Sequence, residues 1–320
     1  MDDQISLATR AAWLSYVRRL TQGEIADRLG VSRVKAHRLI SLAEEMGLVS
    51  IHIAGRPAEC LALEDALIGR FGLGFCRVVP GIDDPGQPFD ALGTEGAACL
   101  SRALEPGDAR IIGVGHGRTL AAVANRLPRI AAPDAKFVSL LGSLTRKSAA
   151  NPFDVVQRLA DKTGGEGYFM PVPLAVDSEG DKAVMLAQKS VQAVLSLARQ
   201  ATLCLLGIGE LGPGAHLLET GVLTRAEHDD LRAAGAVGDL AGQFLDRDGR
   251  RVASEVNGRI LGLGLDDLRG RRVVAIAGGA TKAGAITAAL MSGLVTDLII
   301  DEAAAAAMAA HGHTRPEAAA

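Results

Sequence analysis

The chain has 320 residues, 48% hydrophobic and 22% charged, with a formal net charge of −3 at pH 7; this excludes a disordered chain and suits a small domain joined to a larger one. Aromatics make up 3% against 38 glycines, a balance that fits close-packed α/β layers better than an aromatic-rich sandwich. No apolar run reaches the roughly 18 residues of a membrane span, and Asp2 and Asp3 stand where a signal peptide would be basic, so no membrane partner and a cytoplasmic location are expected.

The first elements in chain order are the most informative. Leu20-Thr21-Gln22-Gly23-Glu24-Ile25-Ala26-Asp27-Arg28-Leu29-Gly30-Val31-Ser32 and the run that follows to Ile40 have the spacing of two short helices joined by a glycine turn. Leu20, Ile25, Ala26, Leu29, Val31, Val34, Leu39 and Ile40 recur at helical intervals and, with Trp13, Leu14 and Val17 before them, predict a small three-helix core. Gly30 supplies a left-handed turn and Ser32 a good N-cap for the second helix. Arg33, Lys35, His37 and Arg38 gather near the start of that helix, the end that enters the major groove in a helix-turn-helix. Between Trp13 and Leu42 there are six Arg or Lys against two acids, although the whole chain is negative. That local charge makes Gln22, Ser32, Arg33, Val34, Lys35, His37 and Arg38 the candidate contacts to operator DNA. The competing reading is a protein-binding three-helix module with an incidental basic face.

Residues 47–53 alternate like a short strand, a minimal wing, and Gly55-Arg56-Pro57 ends a DNA-binding domain at 1–56. Leu61, Leu63, Leu67 and Ile68 then form an amphipathic pattern over 58–71, a connecting helix that also suits pairing between subunits. Apolar runs at 76–79, 110–114, 136–141, 202–208, 272–277 and 297–300 alternate with helical segments. They predict a second domain at 57–310, a mostly parallel sheet with helices on both faces in a three-layer α/β/α arrangement. Residues 311–320 read as a flexible tail in which His311 and His313 are solvated. Cys60, Cys76, Cys99 and Cys204 form no Cys-x-x-Cys pair and read as small buried hydrophobes, so no metal and no disulfide framework are expected.

Ligands of open α/β sheets sit beyond the carboxyl ends of the strands. Gly113-Val114-Gly115-His116-Gly117-Arg118-Thr119-Leu120 offers glycines for close backbone approach, a helix starting near Arg118 and the Thr119 hydroxyl, a cradle for a phosphate or polyol. The bland reading is a tight strand-to-helix turn. Ala277-Gly278-Gly279-Ala280-Thr281-Lys282 opens another helix, over which Lys282 reaches toward an anion or, equally, stands as a surface lysine. Gly207-x-Gly209-x-x-Gly212 has dinucleotide-fingerprint spacing, but Pro213 and Gly214 follow where a helix should start. The first cradle has the wrong spacing for that fingerprint, and no acid ends the next strand, so no nicotinamide cofactor is expected.

These segments together resemble the SorC family of bacterial sugar-responsive regulators, within the wider DeoR-like group. The resemblance spans nearly the whole chain and also rests on Asn151-Pro152, Pro171-Val172-Pro173, Gly235-Ala236-Val237-Gly238-Asp239 and Ala277-Gly278-Gly279-x-x-Lys282-Ala283-x-Ala285-Ile286. It implies an effector domain akin to sugar-phosphate isomerases and coenzyme A transferases, used for regulation, in a homo-oligomer that is usually a tetramer. By that resemblance, Gly115, His116, Gly117, Arg118 and Thr119 with Gly278, Gly279 and Lys282 hold the phosphate end of a sugar, polyol or phosphorylated derivative. Asp239 then faces the hydroxyls, and Gly142 and Ser143 lie at a further strand end. Gly115-His116 replaces the Ser-Trp pair of many relatives, which removes an aromatic surface, and the recognition helix departs from the commoner Ser-x-x-x-Val-Ser-Arg, so an operator different from that of typical members is expected. Arg10-Ala11-Ala12-Trp13, the recognition helix and Ala58-Glu59-Cys60 resemble the branch that governs erythritol and related polyol catabolism. The alternative is a sugar-phosphate isomerase-like enzyme with an appended DNA-binding head, for which Asp239, Glu255 or Asp301 would have to act as base. No second catalytic group pairs with any of them, and no catalytic residue is expected.

Overall fold

The computed structural model describes residues 2–49, 57–81, 88–105, 111–144, 155–212 and 214–310. The chain divides into two compact units, Met1–Gly55 and Arg56–Ala320. No helix among the described residues is long and apolar enough to cross a membrane.

The first unit is three helices, α1 (Asp2–Tyr16), α2 (Gln22–Leu29) and α3 (Arg33–Glu45). Short-range chemistry sets their ends. Thr21 and Glu24 form a capping box at the start of α2 and Gly30 closes it at φ 63°, in the left-handed region. The Ser32 hydroxyl then accepts the Lys35 N–H at 3.2 Å and starts α3. The core is Ala8, Ala11, Ala12, Ile25, Ala26, Ala36, Leu39, Ile40 and Ala43, flanked by Leu7, Leu14, Leu20, Leu29 and Val31. Trp13, Val17 and Val34, read from the periodicity as core, are exposed instead. Small alanines let α1 approach α3 closely, and that contact turns Trp13 and Val17 to the opposite side. The wing read at 47–53 falls largely on residues outside the described ones; Gly47 to Val49 form a turn and extended chain with no strand pairing.

The second unit alternates helices and strands. In order it runs α4 (Ala58–Phe71), β1 (Phe75–Val79), α5 (Phe89–Ala103), β2 (Ile111–Val114), α6 (Arg118–Arg126), β3 (Lys136–Ser139), α7 (Val155–Thr163) and β4 (Glu166–Tyr168). It continues with α8 (Glu179–Leu186), α9 (Lys189–Ala198), β5 (Leu203–Leu206), β6 (Ile208–Glu210), α10 (His216–Glu219), α11 (Arg225–Ala233), β7 (Ala236–Leu240) and β8 (Gln243–Asp246). The last elements are α12 (Glu255–Arg259), β9 (Arg272–Ala277), α13 (Ala283–Met291), β10 (Asp297–Asp301) and α14 (Glu302–Ala310).

Seven strands form one parallel sheet in the order β1-β10-β9-β5-β2-β3-β4. Successive residues of β9 serve opposite faces. Val273, Ala275 and Ala277 join a core with α4, α13 and α14, while Val274 and Ile276 join a core with α5, α6 and α7. Both faces are therefore dry, which is why these strands read as continuous apolar runs. The run at 202–208 is two strands: β5 belongs to the large sheet, and β6 leaves it to start an antiparallel sheet, β6-β7-β8. The helix read as a connector, α4, buries Cys60, Leu67 and Phe71 against its own unit, packing on β1 and α14. All four cysteines are buried and free. Asn151, Pro152 and the tail at 311–320 lie outside the described residues.

Candidate functional site

Two surfaces collect the polar residues that the cores do not need. On the first unit, α3 buries Ala36, Leu39, Ile40 and Ala43 and so turns Arg33, Val34, Lys35, His37 and Arg38 outward together. Ser32 is exposed beside them as the cap. Gln22 reaches across from α2, its amide 3.2 Å from His37 Nδ1, which holds the imidazole to one side of the basic face. All seven sequence-singled residues thus lie along one ridge made by α3 and the start of α2.

The second surface is a cleft in the second unit, lined by the segment after β2, by β6 and by Asp239 and Lys282. Its place follows from the sheet order. From β2 the chain steps outward to β3 and β4, whereas from β5 it steps the other way to β9 and β10, so the order reverses between β2 and β5. A crevice opens at such a reversal because neighbouring connections leave on opposite faces. Gly115, directly after β2, still pairs with β5 through its N–H to Leu205 O at 2.8 Å. Gly117 then turns at φ 119° and α6 begins at Arg118, leaving the first-turn N–H groups without helical partners at the cleft. Thr119 lines the cleft in that turn, and the Arg118 guanidinium lies 5.4 Å over the Phe89 ring.

Lys282 enters from the short turn after β9 and is only 9% exposed. Among the described residues its ammonium forms no hydrogen bond or ion pair. Burial pushes its pKa down; Glu210 and, more weakly, Asp239 oppose that, while Arg118 adds to it. Asp239 lies across the small sheet, paired with Gly209. A Cβ on Gly209 would overlap the Asp239 carboxylate, so the glycine makes the space that the carboxylate occupies. Burial raises Asp239 to about 6, against the pull of the Gly242 N–H at 3.1 Å and of Lys282. His216, at the start of α10, is pushed down by burial and by Arg118, which keeps it neutral at pH 7. The cleft therefore has a cationic end, Arg118 with the α6 N-terminus, and a carboxylate end, Asp239 and Glu210, with Lys282 within reach of both.

Of the sequence-singled residues, Gly115, His116, Gly117, Arg118, Thr119, Asp239 and Lys282 line this cleft. The surface-lysine reading of Lys282 is corrected by its burial. His116 turns its Nε2 to Gly142 O at 2.9 Å, pinning the strand end opposite. Gly142 itself packs against the Pro173 backbone, leaving no room for a Cβ, and Ser143 donates its N–H to Val172 O; Ser143 lines a separate hollow with 170–173 and 184–185. Gly278 and Gly279 shape the turn before Lys282, where the Gly279 N–H donates to the buried Asp301 carboxylate at 2.8 Å. None of these four lines the cleft. Glu210, His216 and Phe89 do, without having been singled out. Of the three carboxylates considered as a base, only Asp239 is there: Asp301 is spent on Gly279, and Glu255 is exposed on α12. No cluster of metal-binding side chains occurs among the described residues.

The Sugar-bind family model, that of a sugar-binding domain, matches residues 55–310. The chain is 43% identical to the erythritol catabolism regulatory protein EryD of Brucella abortus, over 96% of this chain and 97% of that protein. It is 32% identical to the transcriptional regulator LsrR of Klebsiella pneumoniae, over 95% of this chain and 93% of LsrR. Among solved structures, the full-length sorbitol operon regulator SorC from Klebsiella pneumoniae matches at a TM-score of 0.69 and 27% identity, covering 95% of this chain and 98% of SorC. A DeoR family transcriptional regulator from Listeria monocytogenes matches at 0.72 and 25%, covering 78% and 99%. Fold, cleft and kinship over the full length agree: the chain belongs to the SorC family of transcriptional regulators with a sugar-binding domain, and it is a regulator, not an enzyme.

Proposed function

We propose that this protein controls a carbohydrate or polyol catabolic operon, holding operator DNA with the first unit and releasing or engaging it when a sugar, polyol or phosphorylated derivative enters the cleft. The observation that carries the effector reading is Lys282, a residue nine-tenths buried whose ammonium has no ion-pair partner among the described residues, beside an open helix N-terminus. Burying a charge unpaired costs several kcal/mol, and a phosphate between Lys282, Arg118 and the 118–120 N–H groups offsets that cost. Asp239 and Glu210 then accept from hydroxyls. A four-carbon polyol phosphate is the first ligand to try, because the relative EryD is named for erythritol catabolism.

On the DNA side, Arg33, Lys35 and Arg38 supply donors for guanine edges and phosphates, Val34 an apolar contact for a thymine methyl, and the His37–Gln22 pair a positioned polar group. Heads of this kind read paired half-sites about one helical turn apart, so at least a two-fold assembly is needed, and a homotetramer built as a dimer of dimers fits that need. The protein works in the cytoplasm, where operator DNA is. Calorimetric titration of erythritol, erythritol phosphate and a panel of pentose and hexose phosphates into the parent and into Lys282→Ala tests the cleft. A phosphorylated ligand that binds the parent and loses about 1.5 to 3 kcal/mol in the variant supports the reading. No binding by any of them, or tight binding untouched by changing both Lys282 and Thr119, overturns it.

A further inference from the structure

Helix α1 carries more apolar surface than its three-helix unit buries. Its inner residues Ala8, Ala11 and Ala12 are in the core. Its outer side exposes Trp13 at 53%, Tyr16 at 40% and Val17 at 62%. The spacing i, i+3, i+4 puts all three on one side of the helix. Trp13 is the only tryptophan in the chain. A contiguous aromatic and aliphatic patch of this kind differs from singly scattered surface hydrophobes and marks an interaction site. Tyr16 is fixed in place by the hydrogen bond from its hydroxyl to the Glu44 carboxylate on α3.

We propose that this face joins the DNA-binding units of two copies of the chain, with the two α1 helices antiparallel across a two-fold axis. The inference rests on the reading that the protein binds paired half-sites. Charge along the helix selects that occupant. The helix starts at Asp2 and Asp3, and Arg18 and Arg19 follow its end, both exposed. An antiparallel copy sets each end against its opposite, whereas a parallel copy sets like against like. Room for the indole is present as well: Ser6 and Thr9, seven and four residues before Trp13, are exposed on the same side and small. With the axis passing near Arg10, each Trp13 covers the Ser6 and Thr9 side of the other copy. The contact is isologous, as a two-fold pair of heads on a palindromic site requires.

The test uses the full-length chain carrying Thr9→Cys. All four native cysteines are buried, so the introduced thiol is the exposed one. Oxidation is followed on a non-reducing gel, with and without the duplex recovered from a random-sequence pool by selection with the parent protein. The expected product is a cross-linked dimer whose yield falls by about tenfold or more when Trp13→Lys and Val17→Lys are added, as for removal of a buried aromatic anchor. The same pair of substitutions weakens binding to the two-half-site duplex while leaving a single half-site bound as in the parent. Val17→Lys alone, at a largely exposed position, repeats the measurement if the double change unfolds the head. Absence of the cross-link in a protein that light scattering reports as an oligomer overturns the surface and leaves the oligomer reading standing. Unchanged binding to the two-half-site duplex does the same. A monomer with and without DNA overturns both.

Discussion

Replacing Asp239 by Asn should stabilise the protein at neutral and alkaline pH. Asp239 sits in the cleft with its carboxyl raised from 3.8 to about 6, burial being the main cause. The folded protein therefore holds this proton more tightly than the unfolded chain does. Stability from that preference is complete below pH 3.8 and is lost as pH rises through about 6. The displacement corresponds to up to about 3 kcal/mol, at roughly 1.4 kcal/mol per pH unit. Asn keeps the oxygen that accepts the Gly242 N–H, found at 3.1 Å from the carboxylate, and adds little volume, so the difference isolates the charge. Urea unfolding of parent and Asp239→Asn at a series of pH values from 4 to 8 gives the test, with midpoints compared at constant slope. The variant should gain most at pH 8, and the gain should shrink toward zero near pH 4. A variant that is less stable at pH 8, or a gain that does not vary with pH, would mean that burial of the Asp239 charge does not cost the folded protein stability.

Gly209→Ala puts a methyl where the Asp239 carboxylate lies, so effector affinity should fall by about tenfold or more, read by calorimetry, with a loss of stability of about 1 to 3 kcal/mol. Gly142→Ala meets the Pro173 backbone and should cost a similar amount of stability, seen in the thermal midpoint. Ser32→Ala removes the acceptor for the Lys35 N–H and should cost about 1 kcal/mol in the first unit. Alanine at whichever of Arg33, Lys35 and Arg38 reads a base should cost about 1 to 3 kcal/mol and relax specificity at one base pair, whereas losing a phosphate contact flattens the salt dependence for every sequence.

The parts of the molecule that could be read from the chain are those governed by near neighbours. The capping box of Thr21 and Glu24, the left-handed Gly30 and the Ser32 cap lie within a few residues of what they control, and the helix-turn-helix follows from them. The parallel strands were legible because both of their faces are dry. The small sheet was not: β6 is only three residues, Ile208-Gly209-Glu210, and Gly238 and Asp239 interrupt the apolar run of β7. Strand β4, three residues long at the sheet edge, gives no signal for the same reason. Periodicity placed Trp13 and Val17 on a helix but could not say that alanines on the other side would take the core. In the cleft, the rule that ligands sit past strand ends found Gly115 to Thr119 and Lys282, while Glu210 lay in the 207–212 strand end that was weighed only as a dinucleotide fingerprint. His216 and Phe89 arrive only through tertiary packing, and no local pattern announces them.

Regulation of an operon by an effector requires that ligand in the cleft and DNA on α3 be coupled. Fluorescence anisotropy of the selected duplex, titrated with protein at zero and saturating erythritol phosphate, measures that coupling directly. DNA affinity should shift by about 5- to 150-fold in the parent, the usual span of such coupling, and that shift should be lost in Lys282→Ala at the same ligand concentration. A ligand that calorimetry shows to occupy the cleft while DNA affinity stays the same would contradict it.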